Sequence, residues 1–199
     1  MAIQKTNLRR LLATVQTLAE LGPEITAERD FPHTAAATLR LVMQTVGARE
    51  GALFTFSDRP AMLSSVAASG FALFPDTAVI PLLPKHVHAL STAAGPQPIS
   101  SATWENFLSS NGNIAPELFR CIVPLQVGSK LVGIIAFGRR EGDGAYDLEE
   151  LEALGLLGHY VGLALQNNTL GQSLQQRIAE NLRLLASLHN FYDHTLVWS

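Results

Sequence analysis

A single cysteine, Cys121, stands in the 199 residues, so no intrachain disulfide and no cysteine-rich zinc site can form, which fits a reducing cytosol. Charge is scarce as well: Asp, Glu, Lys and Arg make up 16% of the chain and the net charge is −3. Without a dense basic patch to neutralise phosphates, neither nucleic acid nor an anionic membrane is expected as a partner. Nothing at Met1 resembles a signal peptide, and none is expected, because Gln4, Asn7 and the pair Arg9-Arg10 occupy the place of an apolar core. Ala153 to Gln176 holds no Asp, Glu, Lys or Arg, yet His159 and Gln166-Asn167-Asn168 interrupt it. That falls short of the about 20 apolar residues that a bilayer span needs, and a buried helix is expected instead. Nor is there a serine, histidine and acid arrangement at catalytic spacing. Gly138, Gly142 and Gly144 match neither the dinucleotide nor the phosphate-loop pattern and read as a turn from strand to helix. Arg139-Arg140 within that turn, like Arg9-Arg10, read as solvated faces.

What is present is an ordinary hydrophobic share, 47%, enough for one globular domain with helical extensions. The clearest pattern runs from Val123 to Gly138. Phe119 to Val127 reads as a strand, Gly128-Ser129-Lys130 as a tight turn, and Leu131 to Phe137 as a second strand rich in β-branched residues. The second strand carries no charge, so both of its faces must be covered. A second hairpin is expected from Gly51–Phe56 and Ala61–Ala68 around Ser57-Asp58-Arg59-Pro60. Helices are predicted over about Lys5–Leu21, with Leu8, Leu11, Leu12 and Val15 on one stripe, and over Phe31–Val46, with Leu39, Val42, Met43 and Val46 on another.

Between Gly70 and Pro116 the character changes. Six of the ten prolines fall there, and Asp76, Lys85 and Glu105 are its only charges. An irregular yet apolar segment of this length suits a lid or binding wall, with short helices over Leu82–Leu90 and Ala102–Ser109 and a short strand over Gln97–Ser100. After it comes the longest element. Asp147 and Glu150 form a capping box, no proline follows, and a leucine-rich pattern continues through Leu170, Leu174, Ile178, Leu182, Leu185 and Tyr192. Helical from Leu148 to Trp198, this element would be about 75 Å long, whereas a globule of about 140 residues is about 35 to 40 Å across. Half of it must therefore protrude, and its leucines need a second copy to cover them. Spacings of four, four, four and three are not clean heptads, so a parallel pair with local unwinding is expected, which the first helix could extend to a four-helix bundle. The pattern runs to Ser199 without a stop signal and reads as a helix leading to an output domain.

The string Pro124-Leu-Gln-Val-Gly-Ser-Lys-Leu-Val-Gly-Ile, followed by Asp147-Leu-Glu-Glu-Leu-Glu-Ala-Leu opening a helix, resembles the C-terminal signature of GAF domains, over roughly Phe31 to Asn168. The resemblance implies an α+β fold: a central antiparallel sheet, helices on one face, ligand-pocket and lid segments on the other, and a long C-terminal signalling helix. It divides the chain into a dimerisation helix (1–22), a sensor domain (23–168) and a linker helix (169–199). It implies a non-catalytic sensor of bacterial signalling proteins, homodimeric and cytoplasmic, with an unknown small-molecule ligand and an output domain of phosphodiesterase or kinase type. The stretch from Leu188 to Leu196 is similar to linkers preceding such outputs. The expected pocket walls are Phe54 or Phe56 on the first strand, Phe74, His86, Trp104 and Phe107 in the lid, and Cys121 and Val123 in the hairpin, with Ser100 and Ser101 as hydrogen-bonding anchors. The same residues could instead form a filled core. That alternative gives a purely dimerising domain, and a transcription regulator's effector domain is a further one.

Chemistry in the family narrows on the residues present. Ile122, not histidine, follows Cys121, unlike the bilin-attaching members, and one cysteine is too few for the family's methionine sulfoxide reductases. The cyclic-nucleotide motif is absent. His86 and His88, and His189 with Asp193, are short of the ligands that a metal site needs, and no metal is expected.

Overall fold

The computed structural model describes residues 31–72, 74–75, 78–99, 118–140 and 144–196. The N-terminal stripe of Leu8, Leu11, Leu12 and Val15 and the lid residues Ser100, Ser101, Trp104 and Phe107 lie outside them. So do the side chains of Leu185 and Tyr192.

A helix α1 (Phe31–Val46) leads into the hairpin β1 (Gly51–Asp58) and β2 (Ala61–Ser69). A short strand β3 (Val79–Pro81), a helix α2 (Pro84–Thr92) and a two-residue strand β4 (Gln97–Pro98) follow. The second hairpin is β5 (Cys121–Val127) and β6 (Lys130–Phe137), and α3 (Leu148–Leu196) closes the chain. The strands form one antiparallel sheet in the order β3-β2-β1-β6-β5-β4. Joining the two hairpins through their β1 and β6 strands places the most apolar strands at the centre, where both faces are covered. From Leu131 to Phe137, every residue but Val132 is buried.

The expected elements shift by a few residues for local reasons. The second hairpin turns through Gly128, whose φ of 62° suits a residue without Cβ, so Lys130 already belongs to the strand and pairs with Val127. The lid helix starts at Pro84 rather than Leu82, because proline fits the first turn of a helix, where its missing N–H is no loss. Phe119 precedes β5 instead of opening it, and β4 stops at Pro98.

The sheet separates two cores. Its helix face packs Leu53, Cys121, Val123, Leu125, Ile135 and Phe137 against Leu39, Val42 and Met43 of α1 and Leu154, Leu157, Val161 and Leu165 of α3. Its lid face packs Phe54, Leu63, Ile122, Ile134 and Ala136 against Ile80, Leu82, Leu90 and Phe119. The alternation of strand side chains sends neighbouring residues into different cores.

Candidate functional site

The lid face is where the sequence places a pocket, and β1 sets its centre. Phe54 meets Phe74 and Phe119 edge to face at 6.3 and 6.4 Å, and Phe71 stacks on Phe74 at 5.1 Å while meeting Phe119 edge-on at 5.6 Å. These offset and T-shaped contacts are the arrangement that the ring quadrupoles favour. Phe54 and Phe119 are fully buried, and Phe56 packs at the margin of the same cluster. So the structure brings Phe54, Phe56 and Phe74 together, with the rings of Phe74 and Phe119 closing on Phe54 and Phe71 packed behind them.

Cys121 and Val123 are not part of that group. They pair across the hairpin with Phe137 and Ile135 and share their orientation, so they enter the helix-side core under α3, and Ile122 between them faces the lid. The strand's period of two makes the expected set of Cys121, Val123 and Phe54 impossible on one face. Burial in apolar surroundings pushes the Cys121 thiol up to about 12, so at neutral pH it is an inert apolar group rather than a thiolate.

His86 is buried on α2, where its Nδ1 accepts the Leu83 N–H at 3.4 Å. Burial, with Lys85 adding to it, holds its imidazole below the ordinary value and hence neutral at pH 7. His88, two residues on, is exposed, because α2 is helical and an i, i+2 pair points to different sides. Among the described residues, no group of three or more His, Cys, Asp or Glu is placed to hold a metal ion.

The arginine pair departs from the sequence reading, since neither residue is a bare solvated face. Glu50, buried just before β1, accepts the Arg139 backbone N–H at 2.9 Å, its Nε–H at 2.8 Å and its NH2 group at 2.6 Å. Arg139 holds that carboxyl below the usual carboxylate range. Arg140 forks onto Glu150 at 2.6 and 2.5 Å and lies 4.9 Å above the Tyr146 ring. Glu150 and Asp147 also exchange their capping bonds at 2.9 and 2.8 Å, as the capping box predicts. The first turn of α3 is thus fastened to the end of β6. An open groove of about 830 Å³ lies beside this anchor, lined by Ile99, Arg120, Cys121, Arg140, Tyr146 and Leu151 among others.

Beyond Asn168 the character of α3 changes. Leu170, Leu174, Ile178 and Leu182 are 56%, 61%, 58% and 60% exposed. Sequence reasoning singled out this stripe but missed three polar residues inside the fold. Glu50 binds a partner 89 residues away, for which no local pattern exists. Gln126 was legible as the polar residue in an otherwise apolar strand, and it binds carbonyls of α2. Asn168, buried where α3 leaves the sheet, was visible as part of the polar break at Gln166-Asn167-Asn168.

No family model matches the chain, and no curated protein matches it either. Solved structures do. The GAF domain of a phosphoenolpyruvate-protein phosphotransferase from Coxiella burnetii is 12% identical, with a TM-score of 0.58 over 83% of this chain and 98% of that one. The phycocyanobilin-bound GAF domain from a cyanobacterial phytochrome is also 12% identical, with a TM-score of 0.58 over 80% of this chain and 96% of that one. Free methionine-R-sulfoxide reductase from Neisseria meningitidis, in complex with its substrate, is 15% identical, with a TM-score of 0.51 over 76% and 87%. With the strand order, the two-core sheet and the long terminal helix, these likenesses establish that the chain has the GAF fold.

Proposed function

We propose that the protein is a non-catalytic sensory and regulatory module of a signalling protein, a homodimer joined through its terminal helices, in which α3 carries the state of the lid to an output domain. The observation that carries this reading is the stripe of Leu170, Leu174, Ile178 and Leu182, each more than half exposed on a helix that has left its own domain. Each such side chain forgoes about 1.5 to 3 kcal/mol until something covers it. A second copy presents the same stripe and meets it with two-fold symmetry. Solved neighbours sharing the fold include a bilin-bound phytochrome domain, which supports a sensory role, and a reductase, which shows that the fold alone does not decide chemistry. Against an enzyme stands Cys121, buried and held as a thiol. Among the described residues, no helix is long and apolar enough to cross a membrane.

Light scattering of the 199-residue chain at micromolar concentration tests the dimer; a single-chain mass ends the reading. Thermal unfolding with nucleotides, haem, bilins and amino acids tests the sensor. A ligand present at 100 times its dissociation constant stabilises by about 2.7 kcal/mol. A second reading, a dimerising platform with a filled lid, is favoured by the packing of Phe74 and Phe119 on Phe54, with Phe71 behind them. It predicts a dimer that none of these compounds shifts.

A further inference from the structure

We infer that Gln126 is a positioning residue that joins the lid helix α2 to α3 through the thickness of one strand, so that movement of either helix is felt by the other. This deepens the sensory reading and rests on it for its biological meaning, but the mechanical joint stands on contacts of its own.

The side chain of Gln126 serves the lid. Leu125 points into the helix-side core, and Gln126, next in β5, turns the other way. Its Nε2 donates to the Leu90 carbonyl at 2.7 Å and to the Ala93 carbonyl at 3.4 Å. These belong to the C-terminal end of α2, where carbonyls have no partner within the helix. Thr92 Oγ1 takes the His88 carbonyl at 2.8 Å, α2 has no basic residue in its last turn, and the next residue, Ala93, is extended. So Gln126 ties the end of the lid helix to the sheet.

The backbone of the same residue serves α3. A Cβ on Gly162 would lie 3.4 Å from both the nitrogen and the oxygen of Gln126, and one on Gly158 would lie 2.7 Å from Val123 Cγ1. With no side chain at these i, i+4 positions, α3 lies directly on β5, so that a Cβ at Gly162 would already be in van der Waals contact with the Gln126 peptide group. Gln126 thus has the lid helix on its side chain and α3 on its peptide group.

Its place in the ladder lets it transmit. The register of β5 against β6 shifts between Leu125 and Gln126: Leu125 pairs with Gly133, but Gln126 pairs with Leu131. The extra residue, Val132, lies in β6, so Gln126 sits opposite a bulge, where the ladder is locally interrupted and the twist increases. After Gly162, α3 keeps only Leu165 and Asn168 buried before its exposed stripe begins. Leu182 lies 20 residues beyond Gly162, about 30 Å of helix, so a small tilt at the seat becomes a large displacement along the stripe.

Amide hydrogen exchange on the whole 199-residue chain tests the joint, because coupling between two sites is reciprocal. Gln126→Met keeps the length of the side chain and removes the donor. Amides of α2 should exchange about threefold to tenfold faster, and those of residues 158–170 in α3 should quicken with them. Gly162→Leu, whose side chain extends past a Cβ already in contact with the Gln126 peptide group and so lifts α3 from β5, should quicken the end of α2 in return. Gln126→Lys restores a donor to the carbonyls and should return both helices to native rates, whereas Val87→Ala, a packing change within α2, should speed α2 and leave 158–170 unchanged. If Gln126→Met speeds α2 only, or Gly162→Leu speeds α3 only, the residue is merely a local cap and the inference falls. Should Gln126→Met fail to fold, the Gly162→Leu arm decides alone. None of these readings needs a ligand or a second copy, so they stand apart from light scattering and ligand shifts, whose failure would remove the sensory reading and leave the joint.

Discussion

Up to Leu165, α3 turns one apolar stripe into the sheet, and Leu154, Leu157, Val161 and Leu165 are no more than 5% exposed, while Leu148 and Leu156 off that stripe are exposed. From Leu170 onward, residues of the same kind at the same helical spacing are more than half exposed. The polar break at Gln166-Asn167-Asn168 divides the two. The first half also has glycines where it must approach the strands, and an arginine anchor at its first turn. Among the described residues the second half shows neither, and its Gly171 faces open space. An apolar stripe records that a helix is covered, but what covers it is written in the residues around the stripe. Glycines and an ion pair within the chain mark packing within the subunit, and the stripe without them is the one for which we propose a second copy.

The sharpest way to break this comparison is to truncate one leucine in the packed half. Leu157 is fully buried between α3 and the sheet, so Leu157→Ala should cost about 2 to 5 kcal/mol, read as a lowered denaturant midpoint with an unchanged slope. An effect below about 1 kcal/mol would mean that the first half is not seated as described. Next in size is the anchor. Arg140→Ala leaves Glu150, whose side chain is 28% exposed, without its bidentate partner and should cost about 1 to 3 kcal/mol. Arg140 holds the Glu150 carboxyl below its ordinary 4.5, so the stabilisation is complete above that pH and lost as pH falls through the lowered value. Acid unfolding should therefore be shallower in Arg140→Ala than in the parent, and equal slopes would show that the pair contributes nothing.

Under the same half of the helix, burial raises Cys121 from 9.0 to about 12 and Tyr146 from 10.0 to about 12. Above pH 9 the unfolded chain releases the thiol proton while the folded chain keeps it. Stability is thus fully present below pH 9 and falls as pH rises toward 12, with a slope of up to about 1.4 kcal/mol per pH unit for each group. Cys121→Ala should move the onset of this loss from about pH 9 to about pH 10, where Tyr146 begins to contribute. Alkaline denaturation monitored by circular dichroism checks it, and an unmoved onset would take Cys121 out of the packed core.

Much of the fold was legible because it rests on short-range pattern. Phe31–Val46 matches the predicted helix at both ends, since its stripe and the stop at Gly47 are local signals, and both hairpins follow from β-branched runs around turn residues. The capping box of Asp147 and Glu150 was readable from spacing alone. The candidate site was less so. Naming Cys121 and Val123 beside Phe54 required knowing how the parity of β5 relates to that of β1, two strands and 67 residues away, and register is fixed only by pairing through β6. Arg139 and Arg140 looked like surface charge because their partners, Glu50 and Glu150, are adjacent only after folding.

The smallest expected effect on folding is also the most discriminating. Leu174 and Ile178 stand on the projecting half at one helical turn's spacing, and both are about three-fifths exposed in the single chain. Replacing both with aspartate removes no contact within the folded domain. Its unfolding free energy should therefore change by less than about 0.5 kcal/mol when measured at concentrations where a parent dimer has dissociated. The mass in solution should respond in full: two carboxylates from each copy would face each other along the stripe, and like charges brought together in an apolar seam oppose association. Parent and variant should thus unfold alike when dilute and differ in light scattering when concentrated. Loss of stability comparable to that of Leu157→Ala would show that the second half is covered within its own subunit, and the distinction between the halves of α3 would disappear.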